Sequence, residues 1–205
     1  MAAQNPIWGE EHLANELLVK AGLCVAISVT FQLFYFFVVM EHGSRKVLHI
    51  NVTQHPTAQW TRQQLREAIP ADHAYRFLIH DRDSIFSAAF DESAERLGLC
   101  VLKTPYRSPI ANAICERLIG TLRRECLDWV IPIGEKHLRT LVGDWRRYYS
   151  ERRPHTGSGG SIPSPPLGLP VSKQATRHRL GAGQRVIARP VLDGLCYDYG
   201  LVGMA

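Results

Sequence analysis

The spacing of apolar and polar residues divides the chain up to about residue 153 into strand-like and helix-like segments. Two dense apolar stretches, 31–40 and 46–53, flank the turn EHGSR and predict an antiparallel hairpin, with Gly43 supplying backbone freedom in the turn. Downstream, the pattern predicts a helix at 57–69, a strand at 76–80, a helix at 88–98, a strand at 99–103, a helix after the loop at 104–110, and a helix at 135–152. This order predicts an α/β fold in which helices cover a sheet.

The segment before the hairpin has no single interpretation. Three leucines within residues 13–18 and Ala21 recur at helical spacing, which predicts a short amphipathic helix. Residues 21–40 carry no charge and are long enough to span a bilayer. Their polar members Ser28, Thr30 and Gln32, together with many β-branched and aromatic residues, favour buried strands instead.

Charge is distributed unevenly along the 205 residues. Residues 1–102 carry 8 basic and 11 acidic side chains, a balance of −3, whereas residues 103–205 carry 16 and 8, a balance of +8. A basic half can neutralise the phosphates of nucleic acid, or it can be an ordinary solvated surface. The length allows one main core with an appendage. The five cysteines form no CxxC pair, so we expect reduced thiols in a cytoplasmic protein.

Two carboxylates are notable because of the segments around them. Asp81 directly follows the apolar stretch FLIH, and Glu116 lies in the basic helical segment ANAICERLIGTLRREC, 116 − 81 = 35 positions later. An aspartate at a strand end is also common as a turn or helix cap. In the helical segment the apolar residues share one face, and another face carries Asn112, Glu116, Gly120 and Arg123.

The motifs DRDSIF and SPIANAICERLIGTLRRECLD resemble the catalytic cores of insertion-sequence transposases related to retroviral integrases, and the resemblance runs from about Thr30 to Pro154. It implies a ribonuclease H-like mixed sheet flanked by helices. It also implies DNA integration by phosphodiester strand transfer, in which two aspartates and one glutamate hold Mg²⁺ or Mn²⁺. Such hard cations prefer carboxylate oxygens, and two of them stabilise both the attacking and the leaving oxygen.

One carboxylate of the family has no counterpart in this chain. In the family the first aspartate lies on the first core strand, shortly before a segment like the one that begins at Thr30, whereas the first aspartate here is Asp72. The resemblance therefore implies that the first core strand is missing or is replaced by residues 18–26. In the second case Gly22 falls near the position of the absent aspartate. Without a replacement strand the edge of the hairpin would be unpaired, and a disordered N-terminus is the other interpretation.

The resemblance assigns roles to the remaining residues. Asp81 and Glu116 are the expected catalytic pair and the expected ligands of Mg²⁺ or Mn²⁺. The expected DNA-binding residues are Lys103, Arg107, Asn112, Arg117, Arg123 and Arg124. For any single arginine, an ordinary surface role is as good an interpretation as DNA contact. The implied partners are DNA and either a second copy of the chain or an intact transposase in a mixed oligomer.

The domain organisation follows from the resemblance and from composition. Residues 1–22 resemble a remnant of the helix-turn-helix region that precedes such cores, and residues 23–153 form an incomplete integrase-like core. Residues 154–170 are a linker, because 12 of these 17 residues are Gly, Pro or Ser. Residues 171–205 form a basic tail that we expect to pack loosely.

The function predicted from the sequence is that of a transposase or integrase core for DNA integration, catalytically impaired by loss of the first metal-binding aspartate. Three alternatives stay open. The first is a non-catalytic DNA-binding remnant, and the second is a translated product that never folds stably. The third, with less support, is a small protein anchored in a membrane through residues 21–40.

Overall fold

The structure is a computed structural model that describes residues 18–104, 109–155, 161–166 and 183–203. Within these ranges the elements are β1 (Leu18–Ile27), β2 (Leu33–Glu41), β3 (Val47–Thr53), α1 (Ala58–Ala68), β4 (Phe77–His80), α2 (Ala88–Arg96), β5 (Cys100–Lys103), α3 (Pro109–Glu125), α4 (Glu135–Glu151), β6 (Gln184–Val191) and β7 (Cys196–Gly203). From β2 to α4 they occur in the predicted order and close to the predicted bounds.

Residues 18–27, for which the sequence allowed a helix or a strand, form the central strand of the main sheet. The strand order is β3-β2-β1-β4-β5, with β1 antiparallel to β2 and parallel to β4. Residues 18–27 therefore replace the first core strand, and the prediction of a helix continuing through Leu18 and Ala21 is wrong. Pairing outweighs the helical spacing, because β2 pairs with residues 19–27 and β4 pairs with residues 18–20 on the other side.

Strand β1 contributes to hydrophobic clusters on both faces of the sheet. On one face Val19 and Ala21 pack with Phe37 in a cluster that includes residues of α1 and α2. On the other face Cys24 belongs to a cluster with residues of α3 and α4, among them the fully buried Trp145. Because helices cover both faces, β1 and β2 are apolar almost throughout instead of alternating with polar residues.

The turn between β2 and β3 differs from the prediction at one residue. Arg45 has a φ of 66° and therefore adopts the left-handed conformation. The sequence predicted that Gly43 would provide the flexible position of this turn. A left-handed residue other than glycine costs roughly 1 kcal/mol. The Arg45 backbone N–H donates to the Glu41 oxygen at 3.1 Å, and its side chain lines a cavity beside α3 and α4.

The C-terminal segment contains a β-hairpin where only loose packing was expected. Strands β6 and β7 are antiparallel, with Val191 paired to Cys196 beside the turn. The hairpin is joined to the end of α4 by an ion pair between Arg152 and Asp198, with a nitrogen–oxygen distance of 3.2 Å. At the other end of the chain the predicted domain boundary between residues 22 and 23 falls within β1. We therefore propose a core that includes residue 18.

Residues 21–40, which were weighed as a membrane span, form most of β1, the turn after it and most of β2. No helix in the described part of the chain has both the length and the apolar character needed to cross a membrane.

Candidate functional site

Asp81 lies directly after β4, where the parallel strands of the sheet end. It is half-buried, and its Oδ1 accepts a hydrogen bond from the Asp83 backbone N–H at 3.1 Å. Asp83 forms a turn of its own, since its Oδ1 accepts from the Ile85 N–H at 3.2 Å. Asp81 is therefore at the sheet edge and also takes part in a turn, as aspartates at such positions often do.

A polar network holds the end of β4 in place. His80 is only 1% exposed, and its Nε2 lies 2.9 Å from Oδ1 of Asp91. The other carboxylate oxygen of Asp91 accepts from the Lys103 ammonium at 2.7 Å. His80 Nδ1 also hydrogen-bonds to the backbone oxygen of Asp81. Lys103, predicted to bind DNA, is thus ion-paired in a network that fixes the backbone carrying Asp81.

Gly22 lies on β1 beside this edge. The parallel pairing matches Lys20 with Ile79, and continuing it by two residues on each strand places Gly22 level with Asp81. A Cβ added at Gly22 would lie 2.6 Å from Sγ of Cys115 and 3.7 Å from its Cβ. This position therefore faces α3, and the Cys115 thiol fills the space that a side chain would need.

Glu116 is the next residue of α3 and is exposed. The contact of Cys115 with Gly22 thus brings the helical turn that carries Glu116 against the strand beside Asp81. Among the described residues, no group of three or more His, Cys, Asp or Glu side chains could hold a metal ion. Asp81 and Glu116 beside an uncharged Gly22 supply fewer carboxylates than a centre of two bridged ions uses.

The nearby thiol of Cys24 lies two residues beyond Gly22 on β1 and is buried. Burial raises the pKa of Cys24 to about 12, although Arg123 opposes the shift. The thiol is therefore protonated at neutral pH in the metal-free protein.

The arginines of α3 fall into two groups, one in contact with β1 and the other lining a cavity. Arg123 is exposed, and its Nη2 donates to the Val25 backbone oxygen at 3.0 Å, which ties α3 to β1. Arg117 and Arg124 are exposed and line one cavity together with Arg45. Two other residues predicted to bind DNA lie outside the described part of the structure: Arg107 and, in its side chain, Asn112.

Sequence reasoning missed Arg45 as a partner of the α3 arginines. In the sequence, Arg45 is only a basic residue in a short turn, which indicates no contact with a distant helix. The packing of α3 and α4 over β2 brings it near Arg117, 72 positions later (117 − 45), and no local pattern predicts such an approach.

Sequence comparison links the C-terminal part of the core to insertion elements. Residues 101–163 match the integrase core domain. Over 80 residues the chain is 32% identical to an uncharacterised 31.7 kDa protein of insertion element IS407 from Burkholderia multivorans, covering 38% of this chain and 28% of that protein. Over 59 residues it is 36% identical to an uncharacterised 39.2 kDa protein of insertion element IS476 from Xanthomonas euvesicatoria, covering 28% and 16%. The matched segments span less than a third of these relatives.

Solved structures are similar over most of the chain. The simian T-cell lymphotropic virus intasome in complex with PP2A regulatory subunit B56 gamma has a TM-score of 0.60 at 13% identity, covering 92% of this chain and 67% of that chain. The catalytic core domain of BIV integrase has a TM-score of 0.54 at 17% identity, covering 73% and 91%. The HTLV-2 integrase catalytic core in complex with magnesium has a TM-score of 0.57 at 11% identity, covering 72% and 93%. At these identities the likeness shows the fold, and it confirms the predicted ribonuclease H-like sheet.

Proposed function

We propose that this chain is a transposase or integrase core protein of transposon origin that binds DNA. The proposal rests on the match of residues 101–163 to the integrase core domain and on the insertion-element relatives, which confirm the resemblance drawn from the motifs. The reaction of such a protein is phosphodiester strand transfer during DNA integration. We propose that this chain is impaired in that reaction because it lacks the first metal-binding aspartate. The cytoplasm is the expected location.

The observation that carries the proposed impairment is the environment of Gly22. Extending the β1–β4 register by two residues puts Gly22 level with Asp81. Gly22 faces α3 and has the Cys115 thiol in the space of its absent side chain. A two-ion centre needs carboxylates that together stabilise the attacking and leaving oxygens. Asp81 and Glu116 supply two carboxylates, and we propose that they bind one Mg²⁺ or Mn²⁺ ion weakly.

DNA binding is proposed from charge. The half of the chain from residue 103 has a balance of +8, and Arg117, Arg123 and Arg124 are exposed on α3 next to Glu116. Arginines on such a surface neutralise phosphates without reading sequence. The HTLV-2 integrase core is described in dimeric and trimeric forms, and we propose that this chain also self-associates or joins an intact transposase in mixed oligomers.

The metal proposal is tested by calorimetric titration of the purified protein with Mn²⁺. We expect weak binding of one ion that disappears in both Asp81→Asn and Glu116→Gln. Asp83→Asn is the matched control, because Asp83 lies in the same turn and is exposed. Two tightly bound ions together with Mn²⁺-dependent DNA cleavage would contradict the proposed impairment. Absence of binding by the folded protein would contradict the Asp81–Glu116 ion site.

The DNA proposal is tested by measuring affinity for a duplex at several salt concentrations without divalent metal. We expect affinity to fall steeply with salt, with a logarithmic slope of about 0.9 for each phosphate neutralised. Arg123→Gln should lower that slope by about 1. Arg139→Gln on α4, where the guanidinium is paired with Glu135 at 2.6 Å, is the control. A folded protein that does not bind DNA at low salt would remove the proposal.

A further inference from the structure

A cavity of about 230 Å³ lies between the β2–β3 turn, α3 and the end of α4. Its wall is partly apolar, with Met40 and Leu118 among the lining residues, and Tyr149 contributes an aromatic ring. Its charged lining residues are all arginines: Arg45, Arg117, Arg124 and Arg153. The described residues contribute no carboxylate to this lining.

One of the four arginines is neutralised by a neighbour. The Nε and Nη2 of Arg153 lie 2.8 and 2.7 Å from Oε1 of Glu125, and the Arg153 guanidinium is 5.7 Å from the centre of the Tyr149 ring. His155 also lines the cavity, but burial lowers its pKa, although its hydrogen bond to the Tyr149 backbone opposes the shift. The histidine is therefore neutral at pH 7. The positive charge that needs a partner belongs to the other three arginines.

Arg45 has an unmet hydrogen-bonding requirement inside the protein. Its Nη1 is buried and has no hydrogen-bond partner. Burial lowers the pKa of Arg45, Tyr149 opposes that shift, and the positive Arg117 adds to it. Buried polar atoms of folded proteins are nearly always hydrogen-bonded, so an unpartnered charged nitrogen indicates a place for a water or an ion.

Arg117 and Arg124 bring further uncompensated charge to the cavity. Neither forms an ion pair within the part of the chain that the structure describes. The Arg124 guanidinium lies back over Gly120, where an added Cβ would be 3.0 Å from Nη1. The missing side chain of Gly120 thus leaves room for Arg124 in this position.

We propose that this cavity is a binding site for a phosphate group, held by Arg45, Arg117 and Arg124. Guanidinium groups donate paired hydrogen bonds that match the oxygens of a phosphate, and the charge of three of them more than offsets that of a doubly charged oxyanion. The volume is sufficient, since a water takes about 30 Å³ and the cavity has room for a phosphate with ordered waters. The phosphate can belong to the DNA backbone or to a free phosphate compound. The site does not depend on the proposed integrase function.

The test is calorimetric titration with inorganic phosphate at low ionic strength in a buffer without oxyanions. We expect saturable binding of one phosphate by the wild type and at least tenfold weaker binding by Arg45→Gln. Arg66→Gln is the charge-matched control, because Arg66 is exposed on α1 across the sheet, and it should bind like the wild type. Because Arg45 lies in a strained turn, the exposed Arg117→Gln is a second variant with the same expected loss. No saturable binding by the wild type, or equal binding by all variants, would overturn the proposal.

Competition with a short DNA duplex identifies the source of the phosphate. If the site takes a backbone phosphate, inorganic phosphate displaces the duplex and Arg45→Gln weakens DNA binding. If it takes a free phosphate compound, duplex affinity is the same in Arg45→Gln and the wild type while phosphate binding is lost. Both results support the site. Phosphate binding without any DNA binding would remove the proposed function and leave the site in place.

Discussion

At the scale of single residues, the Asp91 carboxylate contacts one buried side chain and one partly exposed side chain. Its carboxylate contacts the buried His80 at 2.9 Å and the partly exposed Lys103 at 2.7 Å. Removing it leaves a buried imidazole nitrogen without its partner. We expect Asp91→Ala to lower the free energy of unfolding by about 2 kcal/mol, measured by urea denaturation.

The matched control for Asp91 is Lys103→Ala. Lys103 is 43% exposed in its side chain, so its ion pair is screened by water and should contribute less than about 1 kcal/mol. Equal losses in the two variants would mean that the buried hydrogen bond to His80 is not the larger contribution. The pair of variants therefore separates the buried contact from the surface one.

Phe31 is a residue whose conformation and exposure are both unfavourable. It has a φ of 60° and is 88% exposed, in the turn between β1 and β2. Asparagine adopts left-handed conformations more readily than other residues with a side chain. We expect Phe31→Asn to raise the free energy of unfolding by about 1 kcal/mol, the lower end of the cost of such a conformation. Phe31→Ala keeps the backbone strain, so an equal gain from alanine would contradict this explanation.

At the scale of elements, the contact between β1 and α3 decides whether a third carboxylate can be restored. Gly22→Asp alone places a Cβ 2.6 Å from the Cys115 sulfur, so α3 must shift or the thiol must rotate. We expect this single variant to lose stability by about 1–3 kcal/mol, the usual cost of overpacking. Thermal unfolding measures the loss.

The double variant Gly22→Asp/Cys115→Ala removes the obstructing sulfur and leaves ordinary contacts of 3.7 Å to the Cβ of residue 115 and 4.0 Å to Ile119 Cδ1. We expect it to regain stability relative to Gly22→Asp and to bind Mn²⁺ more tightly than the wild type, because a carboxylate then lies level with Asp81. Gly22→Asn/Cys115→Ala has nearly the same shape without the charge and is the control. Equal Mn²⁺ affinity in the two double variants would mean that Gly22 is not the position of the absent aspartate.

The elements that the sequence predicted well are those with local signals. Helix α1 begins at Ala58, one residue after the predicted start, and Thr57 caps it by accepting the Trp60 N–H on its Oγ1 at 3.2 Å. The two apolar stretches and the short turn between them also predicted the hairpin of β2 and β3. The helix carrying Glu116 was placed by its apolar face, and Leu118 and Leu122 are indeed buried.

The elements that were not predicted depend on distant partners. Strand β1 has helical spacing in its first residues and becomes a strand only because β2 and β4 pair with it. The hairpin of β6 and β7 contributes to neither hydrophobic cluster of the main sheet apart from Leu192 in its turn. In β7 the alternating residues Tyr197, Tyr199 and Leu201 lie on the more exposed face, so no buried apolar face marked the strand in the sequence. The cavity beside Arg45 joins residues from a turn and two helices, and only the assembled core reveals it.

At the scale of the whole molecule, the central position of β1 couples the two helical layers. The strand supplies Ala21 to the cluster beneath α1 and α2 and Cys24 to the cluster beneath α3 and α4. Neither layer can keep its packed face if β1 leaves the sheet. We expect the core to unfold as one cooperative unit, which would exclude the alternative of a product that never folds stably.

Native-state hydrogen exchange tests this coupling directly. The most protected amides of α1, such as Leu65, and of α4, such as Trp145, should exchange with the same free energy of opening and the same dependence on urea. Ala21→Gly in β1 should lower that free energy by about 1 kcal/mol in both layers, although Ala21 faces only α1 and α2. Loss of protection confined to α1 and α2 would mean that the layers open independently. In that case the replacement strand would complete the sheet without joining its two faces into one folding unit.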